Sequence, residues 1–360
     1  MQKTKTIKLL DKTIGSCLCH LITRQKPGVG SPINNILIIR PGGIGDAVLL
    51  APAIGFIKKS CPAIHITVLS EKRNCGVFPL IPGVDRLLRY DSPIELFQAI
   101  RLRYDVVIDT EQWYHLSAVI ARLIRSPMKI GFDTNQRRRM FTHGIRYDLT
   151  AYEPDNFLAL LKPLGVEITQ VARTNSLSIP QQSISKSEQL LQPLGSDSFV
   201  VMFPGASIEE KRWGADRFNL VAKRLAEDGY RVVVVGGRED CSDGDMIAGA
   251  GGLNLAGMTS LAETAAVIAR SSLVISGDSG VLHLAAALDV PTISLFGPSS
   301  VTKWAPRGDK HIVIHHNLPC SPCSTFGTIP PCLIEARCIR DIIPAEVLDA
   351  IGRLLPQASE

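Results

Sequence analysis

ILIIRPGGIGDAVLLAPAI, residues 36–54, passes from an unbroken apolar run through a glycine turn into a helical pattern. Such a run reads as a strand buried on both faces, and the turn into a helix reads as the first βα unit of an α/β domain. Asp46 stands at the mouth of that helix, where free amides and the helix dipole ordinarily favour a phosphate. As a dinucleotide fingerprint the turn is incomplete: counted from Gly43 and Gly45, the third glycine falls where the chain has Val48, and only Glu71 is left to serve a ribose. Two readings of Asp46 therefore stand side by side. It caps the helix while the glycines supply tight geometry, or it is a general base, a carboxylate kept ionised by amides and dipole.

The alternation continues outward from this unit. Strands are predicted over 35–40, 65–70, 87–90, 105–109 and 129–132, with helices starting near Asp46, Pro93 and Trp113. Residues 174–196, rich in Ser, Gln and Pro, read as an interdomain linker. The pattern then restarts, with strands over 199–203, 231–235, 273–276 and 292–296 and helices over 215–228, 261–270 and 280–288. The domain expectation is an arm over 1–33, an α/β domain over 34–173, the linker, a second doubly wound domain over 197–343, and a C-terminal helix over 344–360. Ligands of open parallel sheets bind beyond the strand C-termini, so the active site is expected in a cleft between the two domains.

Charge is localised. The net charge of +5 lies wholly in the first 30 residues, where Lys3, Lys5, Lys8, Lys12, Arg24 and Lys26 face Asp11 alone. A neutral body argues against nucleic-acid binding. Within the arm, Ile7, Leu10, Ile14, Leu18 and Leu21 recur at helical spacing, a stripe that either lies on an anionic membrane surface or packs on a neighbouring domain. No apolar run has the length of a membrane span, and no signal peptide is recognised. Of nine cysteines, Cys17, Cys19, Cys61, Cys75 and Cys241 are scattered, as in a reduced cytoplasmic protein. Cys320, Cys323, Cys332 and Cys338 cluster, and either a structural zinc or buried thiols would explain them.

Three motifs of the second domain carry chemistry. Gly205 and Ser207 follow its first strand and lead to Lys211 and Arg212, which suits a diphosphate; the plain alternative is a solvated loop in which Glu209 and Glu210 neutralise the two cations. Asp278-Ser279-Gly280 opens an alanine-rich helix whose first amides form an anion cradle. Asp278 itself would accept sugar hydroxyls, orient Lys211, or cap the helix, and His283 is either a site residue or an ordinary partly buried histidine. Gly297 and Ser299, after the next strand, approach a ribose or base, or simply make a turn.

Taken in order, IIRPGGIGDAVLLAPAI, PGASIEEKRWGADRFNLVAKRL and SGDSGVLHLAAALDVPTISLFGPSSVTKWAP resemble the ADP-heptose:lipopolysaccharide heptosyltransferases, glycosyltransferase family 9. The resemblance covers almost all of the chain after residue 33. It implies a GT-B fold of two Rossmann-like domains, an ADP-activated heptose as donor and a lipopolysaccharide core as acceptor. It also implies Asp46 as base, Lys211 as phosphate-binding lysine and the Asp278 turn as donor site. Arg40, Gly43 and Gly45 would then meet the acceptor. No cofactor is expected in catalysis, and the enzyme is expected in the cytoplasm, peripheral on the inner membrane through residues 1–30. The rival readings are a nucleotide-sugar epimerase on the same fold and a non-catalytic scaffold of surface-polysaccharide assembly.

Overall fold

The computed structural model describes residues 11, 15–21, 32–166, 168, 176–249, 251–326 and 328–355. The chain divides into two compact units, one up to residue 172 and one from residue 173. In the first, β1 (Asn35–Arg40), β2 (His65–Ser70), β3 (Arg86–Arg89), β4 (Val106–Asp109), β5 (Met128–Phe132) and β6 (His143–Ile145) form one sheet. Their order is β3-β2-β1-β4-β5-β6, and every pairing is parallel. Residues 36–39 are at most 2 % exposed, which is the burial an uninterrupted apolar strand demands of a sheet covered on both faces.

The helix expected from Asp46 is two helices, Ile44–Leu49 and Ala51–Ser60. Pro52 explains the break, since it has no N–H to give to Val48, whose carbonyl accepts Leu50 N instead. On one face of the sheet, Leu37, Ile39, Leu69 and Val107 pack with Ala118, Ala121 and Phe141. The helix Ser16–Leu21 of the basic arm joins this cluster, with Cys19 fully buried and Leu18 packed on it. Asp11 accepts Leu116 N at 2.7 Å and faces His115 Nδ1 at 3.3 Å. The described part of the arm thus packs on the first unit; Ile7, Leu10, Ile14 and the side chain of Leu21 lie outside the described residues.

The second unit repeats the plan with β7 (Phe199–Phe203), β8 (Arg231–Val234), β9 (Leu253–Asn254), β10 (Leu273–Gly277), β11 (Thr292–Phe296) and β12 (His311–His315). The order is β12-β11-β10-β7-β8-β9, again all parallel. The segment expected as a linker holds the helix Gln181–Leu191, which packs on the helix Leu261–Ala269. Its polar composition disguises a stripe in which Ile184 is half-buried and Ser187 and Leu191 are buried. Trp213 is 2 % exposed and donates Nε1 to the Ile342 carbonyl at 2.8 Å, fixing the start of the helix Pro344–Leu354, whose Val347, Ala350 and Ile351 complete the core.

A lysine is buried in the first sheet. Lys129 of β5 is 2 % exposed and gives its amine to the Arg122 carbonyl at 2.6 Å. Burial, with the Arg122 charge adding to it, pushes its pKa down to about 8. The unfolded chain, where a lysine titrates at about 10.4, therefore binds more protons between those two values, so stability rises with pH across that window. Lys129→Met is expected to stabilise the protein at pH 7 by on the order of 1 kcal/mol and to flatten that rise; urea melts at pH 7 and 10 with unaltered midpoints would remove the assignment.

Candidate active site

In each sheet the order reverses once, between β1 and β4 and between β7 and β10, and open α/β sheets take ligands beyond the strand ends at such a point. In the first unit the loops at the reversal are 41–46 after β1 and 110–114 after β4. Asp46 is the third residue of its helix; the N-cap is Gly43, which has no side chain to cap with. The carboxylate is half-buried and makes no hydrogen bond among the described residues, so it is not the cap. A β-carbon at Gly43 would come within 3.2 Å of Asp46 Oδ2, so glycine there leaves the carboxylate uncovered.

Beneath this turn lies a polar network that sequence reasoning missed. Arg40 is 1 % exposed, and its guanidinium donates to the Pro41 and Thr110 carbonyls at 2.7 and 2.9 Å and to Glu111 Oε2 at 3.3 Å. The structure thus places Arg40 under the turn, bonded to the protein on three sides. Burial opposes its charge, but Asp46, Glu111, Glu153 and Asp109 outweigh it and raise its pKa. Arg137 is fully buried, with Nη2 2.6 Å from Asp109 Oδ2 and Nη1 donating to the Glu111 carbonyl. Glu111 Oε1 accepts the amides of Gln112, Trp113 and Tyr114 at 3.0, 3.1 and 3.4 Å, while burial pushes its carboxyl upward against Arg40 and Arg137. Gln112 and Tyr147 in turn hold Glu153 at 2.6 and 2.8 Å. Each charged side chain of this network therefore has a partner, with Arg137 Nε left without one among the described residues, and the loop after β4 is fixed by its own side chains.

In the second unit the loop after β7 carries Lys211 and the loop after β10 carries Asp278. The two meet at 2.6 Å, in a pair that is 16 % and 11 % exposed. His283 Nε2 stands 3.7 Å from the other Asp278 oxygen. Burial would raise the Asp278 pKa, but the Lys211 ammonium and His283 outweigh it and hold the carboxyl well below its ordinary value. The helix Gly280–Ala287 is capped by Ser279, whose Oγ accepts Leu282 N at 3.3 Å, so Asp278 is free of that task. The mutual neutralisation of Lys211 and Arg212 by Glu209 and Glu210 describes the loop only in part, through Arg212 and Glu209. Arg212 reaches Asp240, Asp243 and Glu209 at 3.2, 3.4 and 3.7 Å, and Lys211 goes to Asp278.

The remaining expected donor residues are dispersed in character. Ser207 is exposed at the loop surface. Gly205 is glycine because a β-carbon would meet the Asp240 carboxylate at 2.6 Å, and Gly297 because one would meet Ile339 at 2.8 Å and Cys338 Sγ at 3.3 Å. His283 Nδ1 and Ser299 Oγ are buried without a hydrogen-bond partner among the described residues, as polar atoms are where a ligand or water completes them. The four clustered cysteines are free thiols. Burial and the other three thiols push the Cys338 pKa up to about 11. Among the described residues no group of three or more His, Cys, Asp or Glu is placed to hold a metal ion; of the four cysteines Cys338 is buried, Cys323 and Cys332 are half-buried and Cys320 is exposed.

Residues 94–333 match glycosyltransferase family 9 (heptosyltransferase). The chain belongs to that family. This glycosyltransferase is 29 % identical over 350 residues to lipopolysaccharide heptosyltransferase 3 of Escherichia coli, covering 88 % of the chain and 97 % of the relative. It is 32 % identical over 306 residues to lipopolysaccharide heptosyltransferase 2 of Escherichia coli strain K12, covering 78 % and 87 %. The solved E. coli ADP-heptose LPS heptosyltransferase II shares its fold, with a TM-score of 0.74 at 22 % identity over 89 % of the chain and 98 % of that structure. The GT-B fold of two Rossmann-like units is thus established for this glycosyltransferase.

The buried network makes one stability prediction. Arg137→Met would leave Asp109 charged and unpaired in the interior and is expected to cost about 3–5 kcal/mol in urea unfolding; a loss under about 1 kcal/mol would mean that the pair is solvated in solution.

Proposed function

We propose that this glycosyltransferase moves a heptose from an ADP-activated donor to a hydroxyl of a lipopolysaccharide core, with inversion at the anomeric carbon. The observation that carries the reading is the Lys211–Asp278 pair, a nearly buried cation held at a strand-order reversal beside a helix N-terminus. A fixed ammonium and the first-turn amides at Ser279 and Gly280 suit a departing nucleoside diphosphate. Gly205, Ser207, His283, Gly297 and Ser299 are the further donor-side residues of the reading. Asp46, unbonded at the other reversal, is the base toward the acceptor, with Gly43 and Gly45 giving the sugar close approach and Arg40 supporting the turn from below.

In the step itself, Asp46 takes the proton of the acceptor hydroxyl as its oxygen attacks the anomeric carbon. The bond from that carbon to the β-phosphate oxygen breaks, and the electron pair leaves with the nucleoside diphosphate, whose added charge falls on Lys211 and the amides. No redox partner and no cofactor enters the balance.

Asp46→Asn and Lys211→Ala are each expected to lower transfer by about 10²-fold or more, with the melting temperature within about 2 °C of the parent. An Asp46→Asn protein that transfers at the parental rate would sink the mechanism.

The reading includes a cytoplasmic location and peripheral attachment to an anionic membrane surface, supported by the concentration of the whole net charge in residues 1–30. Removal of residues 1–10, which leaves the packed helix Ser16–Leu21 in place, is expected to weaken co-sedimentation with phosphatidylglycerol vesicles and to spare turnover on a soluble acceptor; undiminished co-sedimentation would rule out the arm as the attachment.

A further inference from the structure

The reading above leaves the second cation of the donor loop without a task, and that cation is the more heavily bonded of the two. Arg212 Nη2 lies 3.2 Å from Asp240 Oδ1 and 3.5 Å from the Ala206 carbonyl, Nη1 lies 3.4 Å from Asp243 Oδ2, and Nε lies 3.7 Å from Glu209. Asp240 is 2 % exposed, and its second oxygen accepts Gly237 N at 3.0 Å. The carboxylate therefore lies across the mouths of two loops, those after β7 and β8. Gly205 on the first and Gly236 on the second approach it so closely that a β-carbon would come within 2.6 and 2.7 Å. Burial pushes the Asp240 carboxyl upward, opposed by the Gly237 amide and Arg212.

We propose that Arg212 is the positioning residue of Lys211: by clamping the loop after β7 to Asp240 and Asp243 on one side, it fixes the backbone from which Lys211 reaches Asp278 on the other. Between its ends the loop's own structure is one short 3-10 helix, Glu209–Lys211, with the Lys211 carbonyl close to Gly277. Ser207 is exposed and Glu209 and Glu210 bear outward or half-outward, whereas Trp213 anchors only the residue after the clamp. With the clamp released, Lys211 keeps its charge and its sequence position but loses a defined location relative to the diphosphate site. The reach of a lysine is long, so its pairing with Asp278 alone does not set where the ammonium sits when a ligand competes for it. A guanidinium with Asp240 and a carbonyl on one nitrogen and Asp243 on the other sets the backbone far more closely.

This inference rests on the donor-site reading of Lys211, and its test keeps the two apart. Steady-state transfer with varied donor and varied acceptor, nucleotide affinity by calorimetry and thermal melts are measured for Arg212→Met, Arg212→Lys, Gly236→Ala and, in parallel, Lys211→Ala. Arg212→Met is expected to raise the donor KM and weaken ADP binding by about 10-fold, the scale of one lost charge-assisted interaction, with the acceptor KM unchanged. Arg212→Lys recovers part of the loss through Asp240 alone. Gly236→Ala, which leaves both charges in place and presses on the Asp240 side chain, reproduces the donor-selective defect.

If Lys211→Ala impairs donor binding and Arg212→Met does not, the clamp is refuted and the donor site stands. If neither variant changes donor binding, the donor-site reading itself is refuted. A defect in Arg212→Met that raises donor and acceptor KM alike, or that disappears when activity is corrected for the folded fraction, makes Arg212 structural only and overturns the inference.

Discussion

A parallel sheet gathers all its strand C-termini along one edge, and the place where strand order reverses is the one point on that edge where two loops part with no crossover helix between them. Asp46 and the Lys211–Asp278 pair stand at two such points. Once residues 36–39 are committed to a strand buried on both faces, the crossovers must be helices, the sheet must be parallel, and the loops after β1 and β4 must open together. The second unit obeys the same constraint with β7 and β10. The side chains discussed above decorate positions that this geometry has already made available.

The chemistry of the two reversals is contrasted by how charge is managed. In the first unit two arginines and three carboxylates are sealed under the loop after β4, where Arg40 pairs with Glu111, Arg137 with Asp109, and Glu153 is held by Gln112 and Tyr147. The result is a rigid floor beneath a single unbonded carboxylate. In the second unit the pairing is shallower, and the Lys211–Asp278 contact retains some exposure. A pair of that kind holds its members in place and ionised without removing them from reach, which a fully buried bridge cannot do.

What was legible in the sequence follows from what is local. The limits of β1, β2, β7 and β11 can be read from apolar runs because those strands are central or paired on both sides. The strands β6, β9 and β12 escaped because they are edge strands, half-buried and partly polar, β6 and β9 being short as well, and the helix Gln181–Leu191 escaped because a narrow buried stripe is compatible with a Ser- and Gln-rich composition. The pairing of Lys211 with Asp278, 67 residues apart, could be anticipated because a carboxylate beside an anion cradle needs a cation. The network of Arg40, Asp109, Glu111 and Arg137 could not: Arg137 sits in a run of three arginines that reads as a solvated surface, and only the fold shows that the first of the three turns inward. The one available hint was the density of polar residues, Asp109-Thr110-Glu111-Gln112, immediately after a strand at the order reversal.

The neighbouring cations Lys211 and Arg212 have a consequence for how such loops can change. Arg212 is in extended backbone, with φ −84° and ψ 125°, so adjacent side chains leave the chain in opposite directions, one toward β10 and one toward β8. The order of the two is therefore encoded, not merely their presence. A chain reading Arg-Lys in place of Lys-Arg would have the same composition, net charge and pI, yet it would put the fork where a single ammonium is wanted and the ammonium where a fork is needed. Charge at this loop behaves as a directed quantity, and substitutions that look neutral in any sum over the sequence are not neutral along it.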